Sequence, residues 1–423
     1  MVSKPLLITL LAVAAAAGPA HSAENPPETW PHPERIASLT EDKQDEPPVL
    51  DSRLFHTFRD NLQNARIVFE SKKEARVAFL GGSITANRGW RDSICTYLQH
   101  RFPQTDFDFI NAGIPSMGST PGAFRLERDV LSKGKVDLLF VEAAVNDRVN
   151  GYDSTARLMA MEGIVRHARE AMPAIGIVIM HFVDPDKMAD YRKGSVPAEI
   201  NDHERVAAHY NISTINLAEE VTRRIDNGEF SWENDFKDLH PSPFGQRMYY
   251  HSIRTFLEEC FAGERRNLPV SGHILPPEMN EGCYDRGMLI PATRVKPAKG
   301  WTPVTVWTPS DKAPTRPDFT GVPMLIAGNP GKTLSFEFEG NAVGIAVAAG
   351  PDAGMIRYRV DHGEWKTLDL FTSWSRQLHL PWFYTLAHGL TPGKHRLQIR
   401  VVQEKNPKST GNACRIRYFY VNQ

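Results

Sequence analysis

The sequence predicts a doubly wound α/β domain built on a parallel sheet, followed by a second, all-β sandwich domain. Three observations predict it. From about Asp51 to Ala262 short apolar runs alternate with longer amphipathic segments, whereas after Gly263 helical periodicity vanishes and proline and glycine rise. Strict apolar–polar alternation then appears in Leu334-Ser-Phe336-Glu-Phe338 and Leu397-Gln-Ile399-Arg-Val401. At 423 residues the chain is long for one ordinary domain and can bury at least one large core.

In chain order, Met1–Ala23 has the three-part layout of a secretory signal: Lys4, the apolar stretch from Pro5 to Ala17, and then Gly18-Pro19-Ala20-His21-Ser22-Ala23. Cleavage after Ser22 or Ala23 is expected. The apolar stretch is shorter than the roughly 20 residues of a spanning helix, which weighs against a membrane anchor. No cysteine at the cleavage region could take a lipid, so the expected address is periplasmic or secreted. Residues 24–50, rich in Pro, Glu and Asp, form an expected extended leader without chemistry.

The α/β domain is expected over residues 51–265. Its strand candidates are 77–80, 107–110, 136–142, 175–182 and 213–217, and its helix candidates are 90–101, 120–132, 155–171 and 198–210. Ligands of such sheets bind beyond the carboxyl ends of the strands, and Ser83, Gly113, Asn146 and His181 all fall at or just after a predicted strand end. Residues 266–288 read as a linker and 289–423 as the sandwich, with turns at Asp361-His362-Gly363 and Pro392-Gly393-Lys394. Trp365, Trp374 and Trp382 suit a sugar-stacking surface or the sandwich core, and core is the expected use of most of them. Gly350–Gly354 and Leu378–Trp382 read as tight turns that also have the option of flanking a cleft.

Lys plus Arg (49) balance Asp plus Glu (50), so charge argues against nucleic acid or an anionic membrane surface as partner. A neutral or small polar substrate fits better. The four cysteines, Cys95, Cys260, Cys283 and Cys414, have no C-x-x-C spacing; export permits disulfides without requiring them. No cluster of His, Cys, Asp and Glu has metal-ligand spacing, so no metal and no cofactor is expected. The sequence carries no signal for oligomeric state.

The chemistry-bearing residues begin with Ser83, at the end of an apolar strand in Gly81-Gly82-Ser83-Ile84-Thr85. No Lys-Ser or Lys-Thr follows, which argues against a phosphate loop. A serine hydroxyl needs a base to take its proton and preorganised donors for the oxyanion; His240 offers the first, and the Gly113 amide and Asn146 side chain offer the second. Each has a plainer reading, with Gly113 as a turn glycine and Asn146 as a turn or helix-cap residue.

Together these residues resemble the SGNH branch of the GDSL hydrolases. Ser83 in Gly-Gly-Ser matches the first block, Gly113 in Asn-Ala-Gly the second, Asn146 in Val-Asn-Asp the third and His240 in His-Pro the fifth. The resemblance covers roughly half of the chain and implies a flavodoxin-like sheet. It also implies a serine nucleophile, an oxyanion hole of Ser83 N–H, Gly113 N–H and the Asn146 amide, and an ester substrate, often acetyl on a carbohydrate. Two departures stand out: Gly82 replaces the usual Asp, and Lys237 occupies the position three before His240 where the family carries its acid.

Pro241 pushes His240 toward extended geometry, in which Asp238 and His240 share a face, so Asp238 is the expected acid. A D-x-H pair also resembles that of alginate acetyltransferases in the same superfamily. Asp235 and a Ser-His dyad are the alternatives, and Asp238 also reads as a helix-capping acid. Arg88, Trp90 and Arg125 are expected to line the substrate cleft, Arg91 and Arg128 to make ion pairs, and His181 to be a core histidine. The expected function is a secreted serine esterase deacetylating a polysaccharide or oligosaccharide. The rival readings are a glycan O-acetyltransferase with the same triad and a catalytically inactive carbohydrate-binding protein; lipase activity is disfavoured because no large apolar lid segment is visible.

Overall fold

The computed structural model describes residues 49–423 apart from 72, 264–267 and 331–332. The expected signal segment, and the leader up to residue 48, lie outside the described residues. The α/β region runs β1 (His56–Thr57), α1 (Gln63–Ser71), β2 (Glu74–Gly81), α2 (Ser83–Ala86), α3 (Trp90–Arg101), β3 (Asp106–Gly113) and α4 (Ser119–Asp129). It continues through β4 (Leu138–Glu142), α5 (Ala144–Val149), α6 (Ser154–Ala171), β5 (Gly176–Met180), α7 (Pro185–Arg192), α8 (Ala198–His209), β6 (Ser213–Ile215), α9 (Leu217–Asp226) and α10 (Pro243–Cys260).

The sheet order is β1-β6-β5-β4-β2-β3, parallel from β6 to β3 with β1 antiparallel at the edge. The chain enters at β2, steps out to β3 and then crosses back to β4 on the other side of β2. That reversal leaves a crevice beyond the carboxyl end of β2, where the expected nucleophile stands. Alternate strand residues serve opposite faces. Val77, Phe79, Phe140 and Val178 join the core formed with α1, α3 and α10, while Ala78, Leu80, Leu139 and Ile177 join the one formed with α4, α6 and α8. Because both faces are covered, β4 is buried along its whole length and reads in sequence as a continuous apolar run.

The β region comprises β7 (Gly287–Pro291), β8 (Thr302–Trp307), β9 (Val322–Ala327), β10 (Thr333–Gly340), β11 (Ala342–Ala349) and β12 (Met355–Val360). It ends with β13 (Lys366–Asp369), β14 (Leu380–Ala387), β15 (Gly393–Val401) and β16 (Cys414–Asn422). One antiparallel sheet has the order β10-β15-β12-β13 and the other β14-β11-β16-β9-β8, with β7 also on β16. Phe336, Phe338, Leu397 and Ile399 face the interior between the sheets, as their alternation predicts. In the second sheet β11 is buried on both sides. The sheet's outer residues Ala342, Ala346 and Tyr420 belong to the same apolar cluster as Phe124 and Ile164 of α4 and α6, and the Phe124 and Tyr420 rings lie 4.4 Å apart.

The expected linker is docked rather than free. Buried Glu162 of α6 accepts the Met279 and Asn280 backbone N–H groups and the Asn280 side-chain amide, and Tyr284 packs on Phe124. All four cysteines are free thiols. Among the described residues no helix is long and apolar enough to cross a membrane, and no cluster of side chains has the makings of a metal site.

Candidate active site

Ser83 is the first residue of α2, a four-residue helix entered directly from β2 through Gly82. The bonds from Ala86 N–H to the Gly82 carbonyl and from Asn87 N–H to the Ser83 carbonyl close its single turn. The Ser83 N–H belongs to the first turn and so has no intrahelical acceptor. Its Oγ stands 2.7 Å from Nε2 of His240. The loop bearing that histidine is shaped by local bonding. A five-residue π-type turn, Trp232–Phe236, is broken by Lys237 at φ 77°, and Asp238 Oδ1 then accepts the His240 N–H at 3.0 Å in an Asx turn. Ser242 caps α10 and Pro243 starts it, so the chain reverses immediately after His240.

Asp238 Oδ1 is 3.6 Å from His240 Nδ1, beyond a hydrogen bond but close enough to act through charge. The shared-face argument thus brings the two side chains together, while the Asx turn spends the nearer carboxylate oxygen on backbone. Asp235 is engaged elsewhere: its Oδ2 accepts the Ser231 backbone N–H and hydroxyl. Burial holds the imidazole below its ordinary basicity; Asp238 opposes that shift, and the positive charge of Arg316 adds to it. A neutral ring with its proton on Nδ1 leaves Nε2 free to accept from Ser83.

On the other side of the serine, the Gly113 N–H donates to Asn111 Oδ1 at 3.0 Å, and the Asn111 amide reaches the Ala86 carbonyl at 3.3 Å. The Asn146 side chain lies against Gly82 and makes no hydrogen bond to another described residue. Its neighbour Asp147 is fully buried: it accepts the Ser119 N–H at 2.7 Å and pairs with His203 at 2.9 Å, tying α5 to α4 and α8. Asn146 is therefore held by its neighbour while its own amide stays available.

Two of the three expected cleft residues lie in the core instead. Trp90 is fully buried against Phe79 and Phe182, with Nε1 donating to the Ile84 carbonyl at 3.3 Å. Arg125, 1% exposed, donates to the carbonyls of Gly81 and Ala112 and to Asp129. Both hold the nucleophile turn from behind. Closeness to a strand end in sequence does not say which helix face a side chain takes, and α3 and α4 turn these two toward the sheet. Arg88 is exposed, with only a 3.4 Å contact to Asp92. Arg91 reaches the Thr85 carbonyl as well as Asp92, Arg128 pairs with Asp129, and His181 is a buried histidine bonded to Glu204.

Glu142 was not singled out by the sequence reading, although a carboxylate closing an apolar strand is a visible signal. It is buried at the end of β4, and its Oε1 accepts the Gly82 N–H at 2.6 Å and the Thr85 hydroxyl at 3.2 Å. In the β region, Trp374 and Trp382 pack on the sandwich core, and Trp365 lies between the guanidinium groups of Arg359 and Arg400. Arg316 belongs to a β-region segment anchored by its N–H to the His379 carbonyl at 2.8 Å. Only the tertiary arrangement brings its charge to bear on His240.

The doubly wound sheet thus carries a serine–histidine pair at its switch point. Residues 79–248 match the GDSL-like Lipase/Acylhydrolase family, a match that supports a carboxylic ester hydrolase. Across both of its regions the chain is also similar in fold to a two-domain esterase (CEX) active on acetylated mannans, co-crystallized with mannopentaose. That likeness has a TM-score of 0.70 at 20% identity, covering 86% of this chain and 95% of the other. A second structure of an esterase so described gives 0.68 at 19% identity over the same shares of the two chains. No curated protein matches the sequence.

Proposed function

We propose that this chain is a secreted serine esterase that removes acetyl groups from a polysaccharide or its oligosaccharides. The observation that carries the reading is the 2.7 Å contact between Ser83 Oγ and His240 Nε2 beside the Asn146 amide. His240 takes the hydroxyl proton on Nε2 as Ser83 Oγ bonds to the ester carbonyl carbon. The developing oxyanion accepts hydrogen bonds from the Ser83 N–H and the Asn146 amide; the Gly113 N–H joins them once it leaves Asn111. The imidazolium then gives its proton to the departing sugar oxygen, leaving acetyl on Ser83. Water, deprotonated by His240, releases acetate and restores the hydroxyl.

Asp238 stabilises the imidazolium through charge at 3.6 Å, and the same oxygen keeps the loop bent by binding the His240 N–H. The fold neighbours active on acetylated mannans support a carbohydrate substrate, and the layout of Met1–Ala23 supports export. The test is acetate release from a panel of acetylated polysaccharides, mannan and xylan included, with Ser83→Ala as blank. We expect the wild-type chain to release acetate from at least one, and Ser83→Ala to lose at least about a thousandfold in turnover. Wild-type rates in Ser83→Ala would refute the reading.

A further inference from the structure

Glu142 and Asn146 leave the same β4–α5 junction and close on the two glycines before Ser83. A Cβ on Gly81 would lie 2.7 Å from both Cγ and Oε1 of Glu142 and 2.3 Å from the Thr85 hydroxyl; one on Gly82 would lie 2.1 Å from Asn146 Oδ1. A side chain on Gly81 would displace Glu142 or Thr85, and one on Gly82 would displace Asn146. We propose that Glu142 is the positioning residue of the nucleophile turn: by accepting the Gly82 N–H and the Thr85 hydroxyl, it fixes the Gly81–Gly82 peptide and the α2 turn on either side of the peptide that presents the Ser83 N–H to the oxyanion.

This inference rests on the esterase reading above. It assigns to a β4 carboxyl the task of holding a turn whose own acidic residue is missing, since Gly82 stands where the family usually carries Asp. The placement is costly. Glu142 is 3% exposed, and its Oε2 is buried without a hydrogen-bond partner among the described residues. A buried carboxyl pays desolvation that an apolar residue of the same volume would avoid, so stability alone does not account for it. Burial pushes the carboxyl up to about 7, against the Gly82 N–H and the Thr85 hydroxyl; Asp147 adds to the rise and Lys187 opposes it. What the turn requires from Glu142 is an acceptor oxygen, which an amide also supplies.

The consequence separates two variants of nearly equal volume. Glu142→Gln keeps an oxygen for the Gly82 N–H and is expected to stay within about threefold of wild-type kcat, whereas Glu142→Leu removes the acceptor and is expected to lose about 30- to 100-fold. The loss should fall on kcat with KM within about twofold, because a misaligned oxyanion donor is felt in the transition state. The experiment measures kcat and KM on an activated acetate ester, with thermal unfolding as the check on folding and Ser83→Ala as blank. If Glu142→Leu fails to fold, Thr85→Val, which removes the second bond to Oε1, takes its place with an expected loss of about three- to tenfold in kcat. Wild-type kcat in a folded Glu142→Leu, or in Thr85→Val where that replaces it, overturns the proposal. So does a Glu142→Gln as impaired as Glu142→Leu. Full activity in Ser83→Ala would instead bring down the esterase reading itself.

Discussion

The two sides of the Ser83 turn are built differently. Behind it, the contacts are buried: Arg125 grips the Gly81 and Ala112 carbonyls, Trp90 the Ile84 carbonyl and Glu142 the Gly82 N–H. In front, His240 rides on a bent loop with a 37% exposed side chain, beside an Asp238 side chain 56% exposed and 3.6 Å away. The turn that carries the nucleophile is thus fixed by a low-dielectric set of hydrogen bonds, while the base and its acid meet where solvent screens their charges. Precision is concentrated where the oxyanion must be met, and latitude is left where a proton must come and go.

If the buried side carries the precision, losing one of its donors should cost most. Asn146→Ala is expected to lower kcat by about 10²- to 10³-fold, with KM little changed. Turnover near wild type in steady-state kinetics would break the comparison by removing the amide from the oxyanion site. Arg125→Met should destabilise the fold by about 3 kcal/mol in urea unfolding, since it strands two buried carbonyls and Asp129. A change inside about 0.5 kcal/mol would mean that the turn is not held from behind by this guanidinium.

The smallest effect belongs to the exposed side. Asp238→Asn is expected to lower kcat/KM by about tenfold or less, because an exposed charge pair contributes about 1 kcal/mol or less. The pH profile sharpens this. His240 must be neutral to act, so activity rises with pH through its pKa, which lies below the ordinary value with Asp238 holding it up. Removing that charge lowers the pKa further, and the acid limb of kcat/KM should move to lower pH. Asp235→Asn should leave the limb in place, because Asp235 bonds to Ser231. A limb that moves in Asp235→Asn and not in Asp238→Asn would reverse the assignment of the acid.

Much of the fold was legible from local periodicity. Apolar runs such as Val77–Leu80 and Val136–Glu142 and the alternation in Leu334–Phe338 fall in the strands Glu74–Gly81, Leu138–Glu142 and Thr333–Gly340, and Trp90–Arg101 became a helix at the predicted bounds. The helices Pro185–Arg192 and Leu217–Asp226 were not foreseen; charged residues blunt the apolar face of the first, whereas the second has Leu217, Ala218 and Val221 on one face, and the caps at Asp184 and Asn216 were a readable signal for both. Ser83, Asn146 and His240 were singled out because acyl transfer requires those residue types, and the structure places His240 2.7 Å from Ser83 and Asn146 against Gly82. Trp90 and Arg125 were misread as cleft residues because the helix face they occupy is chosen by the sheet beneath them.

The sequence by itself determined the parallel sheet, the change to an antiparallel sandwich and the identity of a serine, an amide and a histidine at successive chain turns. Those depend on residue periodicity and on side-chain chemistry, which travel with the chain. Tertiary structure alone decided that Glu142 lies under the serine 59 residues before it, that Arg316 of the β region bears on His240, and that Asp238 meets the imidazole through charge without a hydrogen bond. Contacts of that kind are set by how strands and loops pack across long separations, and a dielectric or a distance has no value until the chain is folded.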